Sequence, residues 1–267
     1  MDVDRLSAES LQASLAAVDA GPFGAVIHYR QRIGSTNDLA RELAEAGAPE
    51  GTLVIADEQT AGRGRLQRVW EAPPGSSLLM SLIFRPQLAP ARAHRLIMVC
   101  GLATAAAVES LLPLTVQVKW PNDLHIEGRK VTGILPESAI SGDRLSWVIV
   151  GMGINVNQVF APGDPLYPTA ISLRMAAGQP VDRLALFAAI MGQISRWQRH
   201  ITSPLLAEAW RARCTTLGQR IRVDAPGGPL TGLAHDLDED GALWLLDDAG
   251  RRHHLTVGEA TILKDSF

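Results

Sequence analysis

The chain has 267 residues, 46% of them hydrophobic, which is enough for one large domain and one small domain with cores of their own. With a formal charge of -3, the chain has no overall positive charge to attract duplex DNA or an anionic membrane, so any anion site must be local. The composition also excludes a disordered chain.

The first residues, MDVDRLSAES, carry acids where a secretory signal needs a basic segment followed by an apolar one. The most apolar stretch, Leu96 to Val108, is shorter than the roughly 20 residues that a membrane span requires, and we predict a buried helix there. Cys100 and Cys214 show no spacing typical of zinc ligands or a disulfide framework. We therefore expect a cytoplasmic protein with two reduced structural thiols.

In chain order, the first part of the sequence predicts alternating helices and strands. An amphipathic segment, Leu6 to Val18, precedes a strand from Ala25 to Arg30. In STNDLARELAEAG, Ser35 and Asp38 resemble a capping box and Gly47 ends the predicted helix.

The middle of the chain is predicted to be rich in strands. Strands are expected at Leu53 to Ala56 and, after a Pro-Pro-Gly sequence, at Ser77 to Phe84. The next predicted elements are a helix at 91–111, a strand at 116–120, a hairpin turning at Glu127-Gly128, a strand at 145–150, and helices near 183–200 and 205–213. From Gly218 onward, short strands with turn signals predict a small barrel of roughly fifty residues.

Three arginines and two glycines crowd the loop after the second strand, in EQTAGRGRLQRVW. Gly62 and Gly64 permit a left-handed backbone, and consecutive N–H groups in such turns can form an anion-binding concavity. Arg63 and Arg65 add fork-shaped donors that suit phosphate or carboxylate. The loop therefore predicts a site for an anion with several oxygens, and a solvated arginine-rich loop is the alternative.

Only three of the 25 basic residues are lysines, which draws attention to Lys130 in GRKVTGIL. Alternation places Lys130 on the strand face shared by Thr132 and Ile134, where it would be held more rigidly than on a loop. A solvent-facing hairpin lysine is the alternative. In KWPNDL, Asn122-Asp123 supplies turn chemistry and a carboxylate for Mg²⁺ or a cationic side chain, or else an ordinary Asx turn.

The glycines of GMGINVN, Gly151 and Gly153, lie at the end of a predicted buried strand. Only two glycines fit a dinucleotide fingerprint, and the helix that should follow is missing. The glycines would instead let the backbone approach a ligand closely, with Asn155 offering an amide; a strand-end bulge is the alternative. The seven histidines show no ligand-like spacing, and nothing supports a serine or cysteine nucleophile.

Together, STND, EQTAGRGRLQRVW, KWPNDL, GRKVTGIL and VGMGINVN resemble, in this order and spacing, the biotin protein ligase family over about residues 25 to 267. The resemblance implies an α+β fold of the class II aminoacyl-tRNA synthetase and biotin ligase type, with a mixed sheet packed against helices and a small C-terminal SH3-like β-barrel. It implies an N-terminal helical segment (1–24), a catalytic domain that binds biotin and ATP (25–214), and the barrel (215–267).

The resemblance also implies a reaction in two steps. Biotin and ATP, with Mg²⁺, give biotinyl-5'-adenylate, and a lysine of a biotin carboxyl carrier protein then attacks it. Negative charge moves around the α-phosphate in both steps, so fixed cations and oriented N–H groups matter more than an acid–base pair. A lipoate ligase-like adenylating acyltransferase, which typically lacks the Gly-Arg-Gly-Arg loop, is one alternative. A biotin-binding regulator without transfer activity is the other.

Only about 25 residues precede the first catalytic strand, fewer than a DNA-binding helix-turn-helix would fill. We therefore expect no DNA partner and no membrane partner, and the resemblance leaves a homodimer open.

Site residues follow from the resemblance motif by motif. Lys130 and Arg65 are the implied catalytic residues. Biotin binding is assigned to Ser35, Thr36, Asn37, Gln59, Gly62, Arg63, Gly64, Arg65, Lys130, Gly133, Gly151 and Gly153. ATP or adenylate binding is assigned to Arg63, Arg65, Arg68, Trp70, Lys119, Asn122, Asp123, Lys130 and Asn155. Asp123 is also the implied Mg²⁺ ligand, and Trp70 is expected to pack against the ligand as the loop closes.

The sequence departs from the family pattern in two places. After Gly-Arg-Gly-Arg, the family usually continues with a second glycine before the next arginine, whereas here Leu66-Gln67 precedes Arg68. Pro136 in GILPES stands where the strand would commonly continue, so we expect the strand to end or bulge there.

Overall fold

The large domain is built on a seven-stranded mixed sheet. Its strands in the computed structural model, which describes residues 5–225 and 227–263, are β1 (Ile27–Ile33), β2 (Leu53–Gln59), β3 (Ser77–Phe84), β4 (Gln117–Lys119), β5 (Asp123–Ile126), β6 (Arg129–Ser141) and β7 (Arg144–Asn155). Their order across the sheet is β1-β2-β3-β7-β6-β5-β4. β1 and β2 are parallel, and the other neighbours are antiparallel. The expected α+β fold is confirmed.

Helices cover both faces of this sheet. They are α1 (Ala8–Leu15), α2 (Thr36–Glu45), α3 (His94–Leu111), α4 (Leu173–Ala177), α5 (Arg183–Gln198) and α6 (Pro204–Arg213). α2 packs on one face through a small cluster that includes Trp147 and Ile149. α3 is long and apolar enough to cross a membrane, yet most of it is buried against its neighbours in the main core, as predicted for a buried helix.

The C-terminal part forms a five-stranded antiparallel sheet, in agreement with the expected small barrel. Its strands are β8 (Arg220–Ala225), β9 (Gly228–Leu237), β10 (Leu243–Asp247), β11 (Arg252–Leu255) and β12 (Glu259–Ile262). They are ordered β11-β10-β9-β8-β12. The first four residues of the predicted N-terminal segment and residues 264–267 of the predicted barrel lie outside the described residues.

A buried arginine joins the barrel to the large domain. The Arg95 side chain on α3 is fully buried, donates a hydrogen bond of 2.8 Å to the Ser203 carbonyl and forms an ion pair of 3.0 Å with Asp240 of the barrel. Nearby, Trp120 Nε1 donates to the Gly241 carbonyl at 3.0 Å. Because a buried guanidinium is stable only when it is paired, these contacts fix the barrel firmly against α3.

The same junction makes folding sensitive to acid. His94 as a residue is only partly exposed, and its Nε2 atom is enclosed and has no hydrogen-bond partner among the described residues. Burial, aided by the nearby Arg65 guanidinium, lowers the pKa of His94 to about 4. The unfolded chain therefore binds a proton near pH 6.5 and the folded chain does not, so stability present above that pH is lost as the pH falls towards 4.

We expect the urea midpoint of the wild type to fall more steeply between pH 6.5 and 4 than that of His94→Gln, which cannot take up this proton. Urea unfolding at half-unit steps of pH measures the difference. Equal slopes in the two proteins would contradict the assignment to His94.

The predicted capping box at the start of α2 was wrong. Ser35 has the extended backbone of an N-cap, but its side chain caps no N–H group of the helix. Asp38 instead forms ion pairs with Arg41 and, at 2.6 Å, with Arg63. The two arginines therefore occupy the carboxylate on which the prediction depended.

The strand break predicted at Pro136 was also wrong. β6 continues to Ser141, and Pro136 stays in register opposite Val150 of β7. β5 pairs with β6 only as far as Gly133, so beyond that point one edge of β6 has no strand partner. A proline, which lacks the N–H donor, is tolerated at such an edge.

Candidate active site

A cavity of about 500 Å³ lies over the sheet on the α2 side, between the arginine loop and the barrel. Every predicted site residue except Gly62 lines it. Gly62 lies just behind, where its carbonyl accepts a hydrogen bond of 3.0 Å from the Trp70 N–H. The structure therefore brings the five motifs to one place.

The arginine loop folds into a short closed turn. Arg63 and Val69 form an antiparallel bridge, and the Gly64 N–H donates to the Arg68 carbonyl at 2.7 Å. One turn of 3₁₀ helix follows Gly64, with Leu66 in the left-handed region at φ +53°. This is the position just before the one where the family usually has its second glycine, and a leucine adopts this conformation only at a cost.

A polar network lies where α2 begins, close to β2 and β3. The Gln59 side-chain oxygen accepts hydrogen bonds from the Thr36 N–H (2.8 Å) and hydroxyl (3.0 Å). Ser81 Oγ lies 2.8 Å from Thr36 Oγ1 and donates to Asn37 Oδ1 at 2.6 Å. Ser35, Thr36, Asn37 and Ser81 are all buried. Ser81 belongs to none of the predicted motifs, although a serine inside the apolar strand SLLMSLIF was a usable signal.

Arg63 does not extend freely into the cavity. Its guanidinium lies 2.6 Å from Asp38 Oδ1 and 2.9 Å from Glu137 Oε1, and it is therefore neutralised by two carboxylates. Glu137 belongs to none of the predicted motifs, because its contact with Arg63 joins residues 74 positions apart.

Two further cations, Arg65 and Lys130, converge on a single dipeptide. Arg65 Nη1 donates to Asn122 Oδ1 at 2.8 Å, and Lys130 Nζ forms an ion pair with Asp123 Oδ1 at 2.8 Å. Consecutive α-carbons lie about 3.8 Å apart, so the two positive groups reach neighbouring points of the Asn122-Asp123 turn. Burial lowers the pKa of Arg65, while the negative charge of Asp123 opposes that shift. The turn therefore holds a guanidinium and an ammonium in place before any substrate binds.

The strand face predicted for Lys130 was wrong. The β5–β6 register shifts by one residue between Leu124 and His125, so that β6 bulges next to Lys130. As a result Lys130 shares the cavity face with Gly133, whereas Ile134 packs on the α3 side. A bulge of this kind re-aims one side chain without ending the strand, and simple alternation does not reveal it.

The glycines of β6 and β7 leave room for side chains above the sheet. Gly133 pairs with Gly153, and β-carbons added to them would lie 2.8 Å and 2.5 Å from the Trp70 ring. Lys130 Nζ lies 5.5 Å from the centre of the same ring. Neither Gly151 nor Gly153 ends the strand, which continues unbulged to Asn155 opposite β3. The expected strand end was therefore wrong, and the alternative of a bulge is excluded as well.

Gly151 offers a test of this packing. A β-carbon there would overlap Asn37 Oδ1, so Gly151→Ala must displace Asn37 from Ser81. The resemblance implies that this cavity binds biotin, and we expect the affinity for biotin to fall by about tenfold or more, the effect of losing a buried hydrogen bond and its geometry. Calorimetry measures it. Gly34→Ala is the matched control because nothing lies within 4 Å of the added β-carbon. Equal affinity of the Gly151 variant and the wild type would contradict the proposed packing.

The barrel supplies contacts that sequence analysis missed. Arg65 Nη2 donates to the Gly258 carbonyl at 2.6 Å, and Arg68 pairs with Glu259 at 2.5 Å. Both contacts join residues about 190 positions apart in the chain, so no local sequence pattern predicts them. The arginine loop is therefore attached both to the cavity floor and to the barrel.

The remaining predicted nucleotide residues lie on the same side. Lys119 of β4 lies opposite Asp123 of β5 in the strand register. Asn155 donates a hydrogen bond to the Ile171 carbonyl at 3.2 Å. Within residues 5–225 and 227–263, no group of three or more His, Cys, Asp or Glu side chains could hold a metal ion. Asp123 thus offers one carboxylate and no metal cage.

Comparison with known proteins gives a consistent result. Residues 29–155 match the model of the biotin/lipoate A/B protein ligase family, and residues 216–262 match that of the biotin protein ligase C-terminal domain. The bifunctional ligase/repressor BirA of Bacillus subtilis is 37% identical over 83% of this chain and 70% of its own length.

Two further proteins match this chain over nearly their whole length. The biotin–[acetyl-CoA-carboxylase] ligase of Mycobacterium tuberculosis is 34% identical over 98% of this chain and 99% of its own. The structure of the biotin protein ligase of Aquifex aeolicus in complex with biotin and ATP is 27% identical, with a TM-score of 0.74 over 90% of this chain and 100% of that one.

Proposed function

Because the chain belongs to the biotin protein ligase family, we propose that it activates biotin with ATP and transfers the biotinyl group to a lysine of a carboxylase carrier protein. The enzyme is an ATP-dependent biotin ligase. The observation that carries the assignment of roles is the convergence of Arg65 and Lys130 on the Asn122-Asp123 turn, beside a buried polar network.

In the first step, a carboxylate oxygen of biotin attacks the α-phosphorus of ATP. A new oxygen–phosphorus bond forms, and the bond to the bridging oxygen of pyrophosphate breaks. The carboxylate is ionised at neutral pH, so this step needs no general base. Negative charge builds up around the α-phosphorus, where Lys130 and Arg65 stabilise it as preorganised cations.

In the second step, the amine of the carrier lysine attacks the acyl carbon of the adenylate. An amide bond forms, the bond between the acyl carbon and the phosphate oxygen breaks, AMP leaves with the bonding electrons, and the amine passes its proton to water. The same two cations stabilise the phosphate of the departing AMP. One set of charges therefore serves both steps.

We assign the biotin head group to the start of α2. Ser35, Thr36 and Gln59 offer hydroxyl, backbone and amide groups suited to a ureido ring, and the glycines of β6 and β7 leave space for the bicyclic rings beside Trp70. The structure supports this assignment through the burial of that network and its contact with the cavity.

We assign ATP to the side of Lys119, Asn122 and Asp123, with Arg68 and Asn155 at its edge. Mg²⁺ binds well through one carboxylate together with phosphate oxygens and water, and the Asp123 carboxylate at the cavity wall would suit that role. Mg²⁺ therefore belongs to this proposal as an ion that enters with the nucleotide. A cytoplasmic location and the absence of DNA and membrane partners stay predictions.

The direct test combines the protein with ATP, biotin and a carrier domain and follows the carrier by mass spectrometry. We expect the carrier to gain one biotinyl group only when all three substrates are present. A carrier of unchanged mass, with adenylate formed, would favour the regulator without transfer activity. Calorimetry with lipoate in place of biotin tests the other alternative, and preferential binding of lipoate would favour it.

A further inference from the structure

Glu137 lies outside every motif that carries the proposed chemistry, yet it contacts two of them. It lies on β6 opposite Ile149, beyond Pro136, and its side chain is 22% exposed. Its Oε1 accepts a hydrogen bond of 2.9 Å from Asn37 Nδ2 at the start of α2. The same oxygen accepts a hydrogen bond of 2.9 Å from Arg63 Nη2 of the arginine loop.

A second positive group completes the cluster. Arg41 Nε on α2 lies 3.3 Å from Glu137 Oε2, as an ion pair without the geometry of a hydrogen bond. Asp38 shares both arginines with Glu137. Two carboxylates therefore face two guanidinium groups, and the Asn37 amide is drawn into the cluster.

The hydrogen bond to Glu137 determines how the Asn37 amide is oriented. Its nitrogen faces two acceptors, Glu137 Oε1 at 2.9 Å and the Leu135 carbonyl at 3.4 Å. Its oxygen accepts from the Ser81 hydroxyl, which in turn lies against Thr36. Turning the amide over would set its oxygen against the Glu137 carboxylate and the Leu135 carbonyl, which have no proton to donate, so the carboxylate selects one orientation for the whole network.

We propose that Glu137 is a positioning residue for biotin, which acts through Asn37 and Arg63 by tying the first half of the arginine loop to the start of α2. The inference rests on the proposed function, because it takes the start of α2 as the biotin site. Hydrogen bonds to a carboxylate are stronger than neutral ones, and this carboxylate is shielded enough to be screened only in part. The network is therefore already aligned when biotin binds. Binding is tighter because less free energy is lost in ordering these side chains.

The test is Glu137→Gln, which keeps the shape of the side chain and removes its charge. We expect the Kd for biotin, measured by calorimetry, to rise about tenfold, in line with the loss of one or two charge-assisted contacts. The kcat for adenylate formation at saturating biotin should stay within about twofold, because Glu137 touches no reacting group. A merely structural role would not produce this division between affinity and rate.

Glu109→Gln is the matched control. Glu109 is 25% exposed and pairs with Arg213 at 2.7 Å, far along the chain from the arginine loop. We expect it to lower the melting temperature without changing the Kd for biotin. A double-mutant cycle of Glu137→Gln with Arg63→Gln should be non-additive, since the two changes remove the same contact.

Three results would overturn the proposal: an unchanged Kd in Glu137→Gln, an equal rise of the Kd in Glu109→Gln, or strict additivity in the cycle. The calorimetric readout does not depend on turnover. A wild type that binds biotin but forms no adenylate would therefore refute the proposed function, while the Kd values would still decide the role of Glu137.

Discussion

Replacing Lys130 with alanine is expected to slow adenylate formation by about a hundredfold or more, the usual effect of losing one preorganised donor at a developing negative charge. The ammonium is held at 2.8 Å by Asp123 on the cavity face of β6, so the substrate does not have to order it. Pyrophosphate release at saturating biotin and ATP measures the loss. A wild-type rate in the variant would end the catalytic assignment of Lys130.

Two control variants separate chemistry from structure. Arg129→Ala removes a positive charge one residue away, where the side chain pairs with Glu127 on the turn, and it should keep the wild-type rate. Lys130→Arg keeps the charge but replaces a compact ammonium with a planar guanidinium. We expect its rate to fall between those of the wild type and the alanine variant.

The second large effect is expected from Arg65→Gly, which should let the adenylate escape from the enzyme. Arg65 donates at 2.8 Å to Asn122 and at 2.6 Å to the Gly258 carbonyl, so it holds the loop to the cavity floor and to the barrel. Charge-assisted hydrogen bonds contribute about 1.5 to 3 kcal/mol, which corresponds to a dissociation rate roughly tenfold to a hundredfold higher. Retention of labelled adenylate on the enzyme, chased with unlabelled biotin and ATP, measures the rate.

Leu66→Gly is the matched control for this variant. Leu66 already has a left-handed backbone, so glycine fits there while all three loop arginines remain. If leakage arose from added backbone flexibility alone, this variant would release adenylate as fast as Arg65→Gly. Retention like that of the wild type in Arg65→Gly itself would refute the closing role of the loop.

Local signals in the sequence were sufficient for much of the fold. The hairpin turn at Glu127-Gly128 is confirmed, with both residues at positive φ. The strand from Ser77 to Phe84 has the predicted bounds, because an apolar run between turn signals defines it without reference to distant residues.

The wrong predictions share a physical cause, since each depends on a neighbouring strand or side chain that the local sequence pattern does not specify. The face of Lys130 depends on a bulge opposite β5, and the helix cap at Ser35 failed because Asp38 is engaged by arginines. The contact partners of the loop arginines could not be predicted from the sequence either. Arg63 and Arg65 look equivalent in the sequence, yet one meets two carboxylates and the other meets Asn122 and the barrel.

The most direct test of the central claim is a crystal structure of the enzyme with a non-hydrolysable analogue of biotinyl-5'-adenylate. The claim predicts Lys130 Nζ and a guanidinium nitrogen of Arg65 within about 3.2 Å of the oxygens that surround the phosphorus mimic, with the biotin rings over the glycines of β6 and β7. An analogue bound elsewhere, or bound in this cavity with either cation turned to a separate surface, would contradict it.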